Sequence, residues 1–518
     1  MTLSPGLRLS LLFLAGVLVS GLAWRHGIQP NDEGLMLQAA GRIADGQVPY
    51  KDFWWFYPPG QPYLLAGSWE LFGPSLVPWR VLRVLCDAAV PVLAYLLALR
   101  AASPRLALLA WAVALLAMAT PSGPHPFPPT LVLCLGALLL LARHPAWAGV
   151  LCGVAAAWRL EFAAGLGLGV VLGLALAPDG DGDRPRWGVI GRFTATAVGA
   201  ALVLYLPVVI AAGVEPAWEL LVRYPLLDFS DYQRLPFPLG YDGPLNTSSP
   251  GGFLSDTAEN LILFYVPLAL LAGLAASLLA LAFRWRRLQP TEVAAAVFAV
   301  TMLQYLLARA DQFHTAPLAV MVAILGAWAI ARRGDVPRWS LASGTACAAV
   351  LAFLVVVGAD RRVRAITDAV VPIDAPVADG VQAGDEHARG LNDTLRFLRE
   401  RTREGEPIYV ATRRSDLVTA GHPLLYVLAG RPNPTAYDIQ APGVVTSAPV
   451  QREIVGDLRR RKVRYVVRYD DPITAAPEPN RAGESSGVTI FDEALAEDYR
   501  EVRRFGPFVI LERRTLDA

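Results

Sequence analysis

The chain has 518 residues, of which 54% are hydrophobic and 18% are charged, and its mean hydropathy is +0.40. Soluble domains contain roughly 45–50% apolar and roughly 25% charged residues, so this composition excludes an ordinary soluble enzyme, a disordered chain and a fibrous protein. Lys and Arg together number 46 against 45 Asp and Glu, a balance that leaves no positive field for binding nucleic acid. We expect a polytopic α-helical membrane protein with a soluble part and no nucleic-acid partner.

Eleven apolar segments are candidates for helices that cross the hydrocarbon core of a bilayer, which is about 30 Å thick. They lie near residues 8–24, 78–99, 106–120, 128–142, 146–159, 162–178, 193–213, 259–283, 291–308, 314–331 and 339–358. The fifth and sixth segments are short and are separated only by Arg159, Leu160 and Glu161. They form either a tight helical hairpin or a pair in which one segment is re-entrant.

Positive residues are concentrated on one side of these predicted spans. With a cytoplasmic N-terminus, the inside loops carry thirteen arginines in roughly 50 residues, and the outside loops carry seven Lys and Arg in roughly 115 residues. This bias predicts a multi-pass membrane protein with its C-terminal part outside, and the Ala-, Arg- and Gly-rich composition indicates a bacterial plasma membrane. The first span is either a retained anchor, which we expect, or a cleaved signal peptide with Gly21 and Ala23 at small-residue positions.

The spans divide the chain into a membrane domain, residues 1–360, and a soluble extracytoplasmic domain, residues 361–518. Two long outside loops interrupt the membrane domain, near residues 25–77 and 214–258. Loops of this length are usually functional or disordered. The second loop is rich in Pro, Gly, Tyr and Asp, and we expect it to be partly ordered on the membrane surface.

Helix and strand patterns alternate in the C-terminal part. Helices are predicted near 391–403 and 450–461, and strands near 407–411, 463–468, 500–505 and 507–513. This alternation predicts an α/β domain in which helices cover a sheet. It contains no nucleotide-binding motif and no catalytic constellation, so we expect it to dock or bind an acceptor. The four cysteines of the chain lie in apolar runs and predict neither disulfides nor a zinc site.

Polar residues beside membrane spans are costly and therefore mark candidate functional sites. Three clusters fall on the outer face in the predicted orientation. They are Asp32, Glu33, Lys51, Asp52 and the aromatic run 53–57 in the first outside loop, Arg159 and Glu161 after the fifth span, and Arg309, Asp311 and His314 between the ninth and tenth spans. Carboxylates, cations and aromatic rings at one membrane surface suit a lipid-linked anionic substrate.

The motifs of residues 8–100 occur in a characteristic order. The Asp32-Glu33 pair follows the first span and begins an amphipathic helix. An aromatic segment then ends in Tyr57-Pro58-Pro59-Gly60 and is followed by Leu71-Phe72-Gly73-Pro74-Ser75. The second span carries Arg80 and Arg83. This series resembles glycosyltransferase family 39 and its relatives among the C-type (GT-C) membrane glycosyltransferases, which include protein O-mannosyltransferases, the lipid A aminoarabinose transferase and actinobacterial arabinosyltransferases. Over residues 100–358 the resemblance is one of architecture, and it assigns no subfamily.

The resemblance implies an enzyme that takes a hexosyl or pentosyl group from a polyprenyl-phosphate donor in the outer leaflet. A carboxylate of the first outside loop acts as general base for the hydroxyl of an extracytoplasmic acceptor, and the anomeric carbon inverts. The lipid phosphate leaves, and its developing charge requires cations. The acceptor is a cell-envelope glycan, a lipid or a protein. Neither the sugar nor the acceptor follows from the sequence.

Asp32 is the predicted base because it matches the Asp of the family's Asp-Glu pair. Asp is also a favoured helix N-cap, so this residue either caps the helix near Gly34, acts as the base, or does both. Glu33 is the second candidate and would orient the acceptor.

Four side chains are predicted to hold the donor phosphate. Lys51 would act as a point charge or is an interfacial lysine. Arg159 would bind phosphate bidentately or pairs locally with Glu161. Arg309 and His314 would add a charge and a hydrogen bond, or His314 pairs with Asp311 at a helix start.

The remaining candidates have a structural and a functional interpretation. The aromatic run ending at Tyr57 either stacks on the sugar or the polyprenyl chain, or anchors the loop at the membrane interface. Asp52, Glu161 and Asp311 are further site candidates by position. Arg83 and Asp87 are spaced i, i+4 and are expected to form a structural pair.

We predict no cofactor and no required metal, although carboxylates and His314 are of the type that a divalent cation binds. Two other functions compete with the enzyme. A transporter of lipid-linked sugars would place polar residues through the membrane midplane and break its helices, whereas the polar clusters here gather at the outer ends. An inactive scaffold would use the outer α/β domain to bind cell-wall glycan or a partner, and the Asp-Glu pair argues against it.

Overall fold

The computed structural model describes residues 4–118, 126–176, 186–237, 245–253, 259–283, 288–331 and 369–514, with single or paired positions at 240, 241, 243, 257, 363 and 367. Within these residues, fifteen α-helices and one π-helix precede the C-terminal domain. They are α1 Pro5–Gly21, α2 Asp32–Ala44, α3 Gly60–Phe72, α4 Val77–Ala98, α5 Pro104–Met118, α6 Phe127–Leu140, α7 Pro145–Ala156, α8 Leu160–Leu176, α9 Trp187–Ala212, α10 Val214–Trp218, the π-helix Glu219–Asp228, α11 Ser230–Gln233, α12 Pro250–Gly252, α13 Glu259–Ala282, α14 Pro290–Ala308 and α15 Gln312–Ala331.

Ten of these described helices are apolar and match ten of the eleven predicted spans. Five of them, α4, α9, α13, α14 and α15, contain segments long and apolar enough to cross a membrane, whereas α1, α5, α6, α7 and α8 are shorter. The boundaries of α1 and α8 lie a few residues before the predicted ones. The eleventh predicted span, residues 339–358, lies outside the described residues.

Glycine stripes let pairs of the apolar helices approach closely. One stripe on α8 faces α14 and consists of Gly165, Gly169 and Gly173. A Cβ at Gly169 would lie 2.7 Å from the carbonyl oxygen of Ala294. Gly149 and Gly153 of α7 approach α9 in the same way, with a Cβ at Gly153 only 2.1 Å from the carbonyl oxygen of Ala197. Where no hydrophobic force drives helices together, small residues stabilise their contact through close backbone packing.

The second predicted span, α4, contains the charged pair expected from its sequence. The Nε of Arg83 lies 3.2 Å from a carboxylate oxygen of Asp87, and both side chains are buried. The i, i+4 spacing brings the two groups to one face of the helix. The structural interpretation of this pair is confirmed.

The aromatic run of the first outside loop forms a buried core rather than an interfacial belt. Trp55 is 1% exposed. Trp54 packs edge-on against Tyr224 of the second predicted loop, with ring centroids 4.9 Å apart. Phe56 packs in a tilted arrangement against Phe229 of the same loop, with centroids 4.6 Å apart. Alternate rings of this run therefore join the two loops to each other.

The second outside loop is ordered over α10, the π-helix and α11. Pro225 lies inside the π-helix and lacks the backbone N–H that a regular helix needs. Leu226 and Leu227 are 70% and 65% exposed. Apolar residues on a short surface helix are typical of segments that lie in a membrane interface.

The C-terminal domain contains a four-stranded sheet with the order β3-β4-β6-β5, in which β3 and β4 are parallel and the other neighbours antiparallel. A separate antiparallel pair consists of β1 and β2. The bounds are β1 Val370–Pro372, β2 Gln382–Gly384, α16 Asp385–Arg401, β3 Ile408–Thr412, α17 Leu424–Ala429, α18 Ala448–Arg460, β4 Tyr465–Tyr469, α19 Ile490–Asp498, β5 Tyr499–Phe505 and β6 Phe508–Arg513, with 3₁₀ turns at Pro376–Ala378 and Pro472–Ala475. The predicted helices and strands are present, and the sequence did not predict β1, β2, α17 and α19.

The C-terminal domain and the first outside loop share one buried apolar cluster, to which α2 contributes Leu37 and the C-terminal domain contributes Leu424 and Ile408. Polar contacts hold the far end of α2. Arg42 donates to Asp438 from Nε at 2.5 Å and to the carbonyl oxygen of Thr435 at 2.5 Å. The C-terminal domain therefore packs along the whole of α2.

Candidate functional site

Asp32 is the first residue of α2. Around it lie Tyr57, Arg309, Asp311 and His314, and the region among these side chains is called the recess below. The side chain of Asp32 is exposed to solvent, yet protein surrounds the carboxyl closely enough for desolvation to raise its pKa above the usual value. A hydrogen bond from Asn31 and the positive charges of Arg309 and His314 oppose that rise. A carboxyl that is accessible but poorly solvated suits a base that must meet a substrate proton.

Glu33 points away from this recess. Its two carboxylate oxygens accept hydrogen bonds of 2.8 Å from Nε and Nη2 of Arg80, and the two side chains are 3% and 5% exposed. Arg80 also donates to the carbonyl oxygens of Trp24 and Gly27. Glu33 therefore fixes the start of α2 to α4, and its carboxylate is occupied by Arg80.

Arg159 lies in the link between α7 and α8 with part of its guanidinium unused. Its contacts are long: 3.4 Å to Glu161 and 3.4 Å to the hydroxyl of Tyr305. Its Nε is buried and has no hydrogen-bond partner among the residues that the structure describes. Since buried donors are nearly always paired, an arginine in this state is suited to bind an anion. Glu161 is 47% exposed, so this ion pair is weak.

Arg309 follows α14 and is already neutralised. Its Nε donates to Asp311 at 2.9 Å, and its two terminal nitrogens contact the carboxylate of Glu478 in the C-terminal domain. Nη1 also donates to the carbonyl oxygen of Gln233. Arg309 thus joins the end of α14 to Gln233 of α11 and to the C-terminal domain.

Asp311 and His314 form the helix-start pair that was one of the two interpretations. Oδ1 of Asp311 accepts from the backbone N–H of His314 at 3.0 Å and lies 2.7 Å from Nδ1 of its ring. Burial alone would raise the pKa of Asp311, but these hydrogen bonds and the charge of Arg309 lower it. The ring of His314 packs on Tyr305 with centroids 4.5 Å apart.

Tyr57 belongs to the recess, whereas Lys51 and Asp52 do not. Burial and then the negative charge of Asp32 raise the pKa of Tyr57, which places its hydroxyl near that carboxylate. Lys51 and Asp52 are exposed, and Asp52 accepts a hydrogen bond of 2.7 Å from the backbone N–H of Val48 to close a turn. The structure does not bring Lys51 into contact with Asp32.

The structure adds residues that sequence reasoning missed. Glu478 comes from the far end of the chain, and Tyr305 lies within an apolar span, so neither belongs to a polar cluster of the sequence. Asn31 adjoins Asp32 and could have been noticed as a preferred N-cap residue. Among the described residues, no group of three His, Cys, Asp or Glu side chains could hold a metal ion.

Solved structures share this fold. ArnT from Cupriavidus metallidurans, solved with bound undecaprenyl phosphate, aligns over 98% of both chains with 15% identity and a TM-score of 0.53. The arabinofuranosyltransferase AftD from Mycobacteria aligns over the whole of this chain and 40% of its own, with 16% identity and a TM-score of 0.51. The chain therefore shares the fold of these two proteins. No sequence profile of a protein family matches the chain, and no curated protein is significantly similar to it in sequence.

Proposed function

We propose that this protein is an integral membrane glycosyltransferase that transfers a sugar from a polyprenyl phosphate to an extracytoplasmic acceptor. The observation that carries this proposal is the accessible, desolvated carboxyl of Asp32, which shares a recess with Arg159, Arg309 and Tyr57. The GT-C fold supports it, as does the undecaprenyl phosphate bound to ArnT.

In the proposed reaction, Asp32 takes the proton of the acceptor hydroxyl. The acceptor oxygen forms a bond to the anomeric carbon, and the bond from that carbon to the phosphate oxygen breaks on the opposite face. The configuration inverts, and the polyprenyl phosphate leaves with the bonding electrons. Positioned cations lower the barrier because they stabilise the charge that develops on the leaving oxygen.

Arg159 is the proposed phosphate ligand. Within the described part of the chain its Nε has no hydrogen-bond partner, and its carboxylate neighbour Glu161 lies at 3.4 Å. Arg309, by contrast, already contacts two carboxylates, those of Asp311 and Glu478. We propose that Arg309 mainly holds the C-terminal domain over the recess and contributes its charge at a distance, and that His314 supports the same wall.

The proposed orientation puts the recess on the outer face of a bacterial plasma membrane. The positive-inside bias supports it, with the N-terminus in the cytoplasm and the first span retained. The acceptor would reach Asp32 between the membrane domain, residues 1–360, and the C-terminal domain, residues 361–518. The reaction needs no cofactor beyond the lipid-linked donor, and we propose no metal.

Donor turnover by the purified protein in nanodiscs tests this function. A panel of polyprenyl-phosphate sugars is offered with a cell-envelope extract, and released polyprenyl phosphate is detected by mass spectrometry. We expect release from one donor by the wild type, none by Asp32→Asn, and normal release by Asp385→Asn, a matched change on the surface of α16. Release by Asp32→Asn would exclude it as base. No release from any donor by folded wild type would favour the inactive scaffold.

A further inference from the structure

Asn31 occupies the N-cap of α2 but does not cap it. No side-chain capping hydrogen bond is formed there, and its backbone is in the αR region, although Asn is among the best capping residues because its oxygen accepts from the first turn. Its amide has a different use. Oδ1 accepts from the backbone N–H of Gly421 in the C-terminal domain at 3.3 Å, and Nδ2 donates to Oδ1 of Asp32 at 2.9 Å.

These two contacts fix which way the amide points. A carboxylate only accepts hydrogen bonds and a backbone N–H only donates them, so a flipped amide would lose both. The N–H of Gly421 therefore selects the orientation in which Asn31 donates to Asp32. One oxygen of Asp32 is held by Asn31. Among the described residues no hydrogen bond to the other oxygen is formed, so that oxygen is left for a substrate proton.

We propose that Asn31 is a positioning residue that orients Asp32 and keeps it ionised, and that the C-terminal domain sets this arrangement through Gly421. The proposal rests on the proposed function, in which Asp32 is the base. Asn31 touches no reacting atom; it acts through Asp32. A hydrogen bond donated to a carboxylate favours its charged form, which is the form that accepts a proton.

The remaining charged and titratable groups around Asp32 do not replace this donor. The charges of Arg309 and His314 lower the pKa of Asp32, and the charge of Asp311 raises it. Tyr57 and Tyr305 lie close enough to interact electrostatically with Asp32. Arg309 is held by Asp311 and Glu478.

A second contact fixes Gly421 relative to Asn31. Three residues after Gly421, the backbone N–H of Leu424 donates to the carbonyl oxygen of Pro30 at 3.1 Å. The backbone immediately before Asn31 is thus tied to the C-terminal domain. The proposal therefore predicts that a displacement of this domain changes the pKa of Asp32.

A titration of Asp32 that needs no substrate tests the proposal. Dicyclohexylcarbodiimide modifies protonated carboxyls, and peptide mass spectrometry separates modification at Asp32 from that at Glu33. The rate against pH, measured on the full chain in nanodiscs, gives the midpoint for Asp32. We expect Asn31→Ala to move this midpoint upward by about one pH unit, the tenfold change in protonation equilibrium that losing one hydrogen bond to a charged group produces.

Asn392→Ala is the matched control, because Asn392 also joins two backbone groups, those of Pro372 and Asp374, but far from the recess. It is expected to leave the midpoint unchanged. A midpoint that stays at the wild-type pH in Asn31→Ala would overturn the proposal, as would an equal shift in both variants, which would indicate general loosening of the domain.

Turnover separates this proposal from the function on which it rests. With the active donor, Asn31→Ala should lower kcat about tenfold at neutral pH, with little change in the KM for the donor. If Asp32→Asn keeps full activity, the proposed base is wrong, whatever the titration of Asn31→Ala gives. If Asp32→Asn is inactive and Asn31→Ala has wild-type kcat, only the positioning role is wrong.

Discussion

Gly34 and Leu424 are in backbone contact: an ideal Cβ on Gly34 would lie 2.1 Å from the amide nitrogen of Leu424. Gly34 belongs to α2, two residues after Asp32, and Leu424 begins α17 of the C-terminal domain. The missing side chain at position 34 lets the C-terminal domain pack directly on the helix that begins with Asp32. The two parts of the chain therefore build the recess together.

Replacing this glycine should separate them. Gly34→Ala forces α17 away from α2, because the obstructing atom is backbone and cannot rotate aside. We expect a loss of stability of about 1–3 kcal/mol, the usual cost of overpacking, and a loss of turnover. Thermal unfolding in nanodiscs measures the first. Gly67→Ala in α3 is the control, since its Cβ would meet nothing within 4 Å, and an equal effect there would contradict the explanation.

Substitutions at Glu33 and Asp32 should have different effects although the two residues are adjacent: the first on stability, the second on activity. Glu33→Ala leaves the buried guanidinium of Arg80 without its carboxylate, and breaking a buried ion pair costs about 3–5 kcal/mol. We therefore expect Glu33→Ala to lower the yield and the unfolding temperature, while Asp32→Asn folds normally and is inactive. Size-exclusion profiles and melting curves of the two variants decide this. A stable, inactive Glu33→Ala would restore Glu33 as a catalytic candidate.

The sequence predicted those features that depend on local periodicity. Long apolar runs gave ten helices, and alternating patterns in the C-terminal part gave the positions of α16, α18 and four strands. Asp32, Arg159, Arg309 and His314 were found as polar residues at span ends, because such residues are expensive beside a membrane.

What the sequence did not predict depends on contacts between distant segments. The packing of Trp54 and Phe56 against Tyr224 and Phe229 cannot be predicted from the aromatic run of residues 53–57 alone. Likewise, Glu478 lies in an unremarkable polar stretch, and its contact with Arg309 exists only because the C-terminal domain folds back over the recess. The predicted role of Lys51 relied on its neighbours in the chain, and the structure turns it to solvent.

The pH dependence of turnover should report Asp32. Desolvation raises the pKa of this carboxyl, and protonated Asp32 cannot accept the acceptor's proton. Activity is therefore expected to fall as the pH decreases, with a midpoint above the ordinary Asp value of about 3.9. Protonation of buried His422 does not cause this loss of activity at low pH, because burial and the neighbouring His387 lower the pKa of His422 to about 3. Constant kcat/KM down to about pH 4 would argue against a base with a raised pKa.

The glycine stripe of α8 makes a prediction about the membrane domain alone. A Cβ at Gly169 would lie 2.7 Å from the carbonyl oxygen of Ala294, whereas one at Gly167 would come no closer than 4.0 Å to Cys152. We expect Gly169→Ala to destabilise the protein by about 1–3 kcal/mol through forced separation of α8 and α14, and Gly167→Ala to have no such effect. Thermal unfolding of both variants provides the comparison, and similar melting curves would show that the close approach contributes nothing.

Substitutions of Arg159 and of Arg309 should affect the binding of a lipid phosphate differently. The guanidinium of Arg159 is available for the phosphate, whereas that of Arg309 is occupied by carboxylates. We expect Arg159→Gln to weaken the binding of undecaprenyl phosphate about tenfold to a hundredfold, the loss of a charge-assisted hydrogen bond or two. Arg309→Gln should weaken it less and should instead lower the unfolding temperature, since it breaks the contact with Glu478. Binding is measured by microscale thermophoresis in nanodiscs, with Arg396→Gln, an exposed arginine of the C-terminal domain, as control. If Arg309→Gln had the larger effect on binding, Glu478 would have to leave Arg309 when the lipid binds, and Arg309 would be the phosphate ligand.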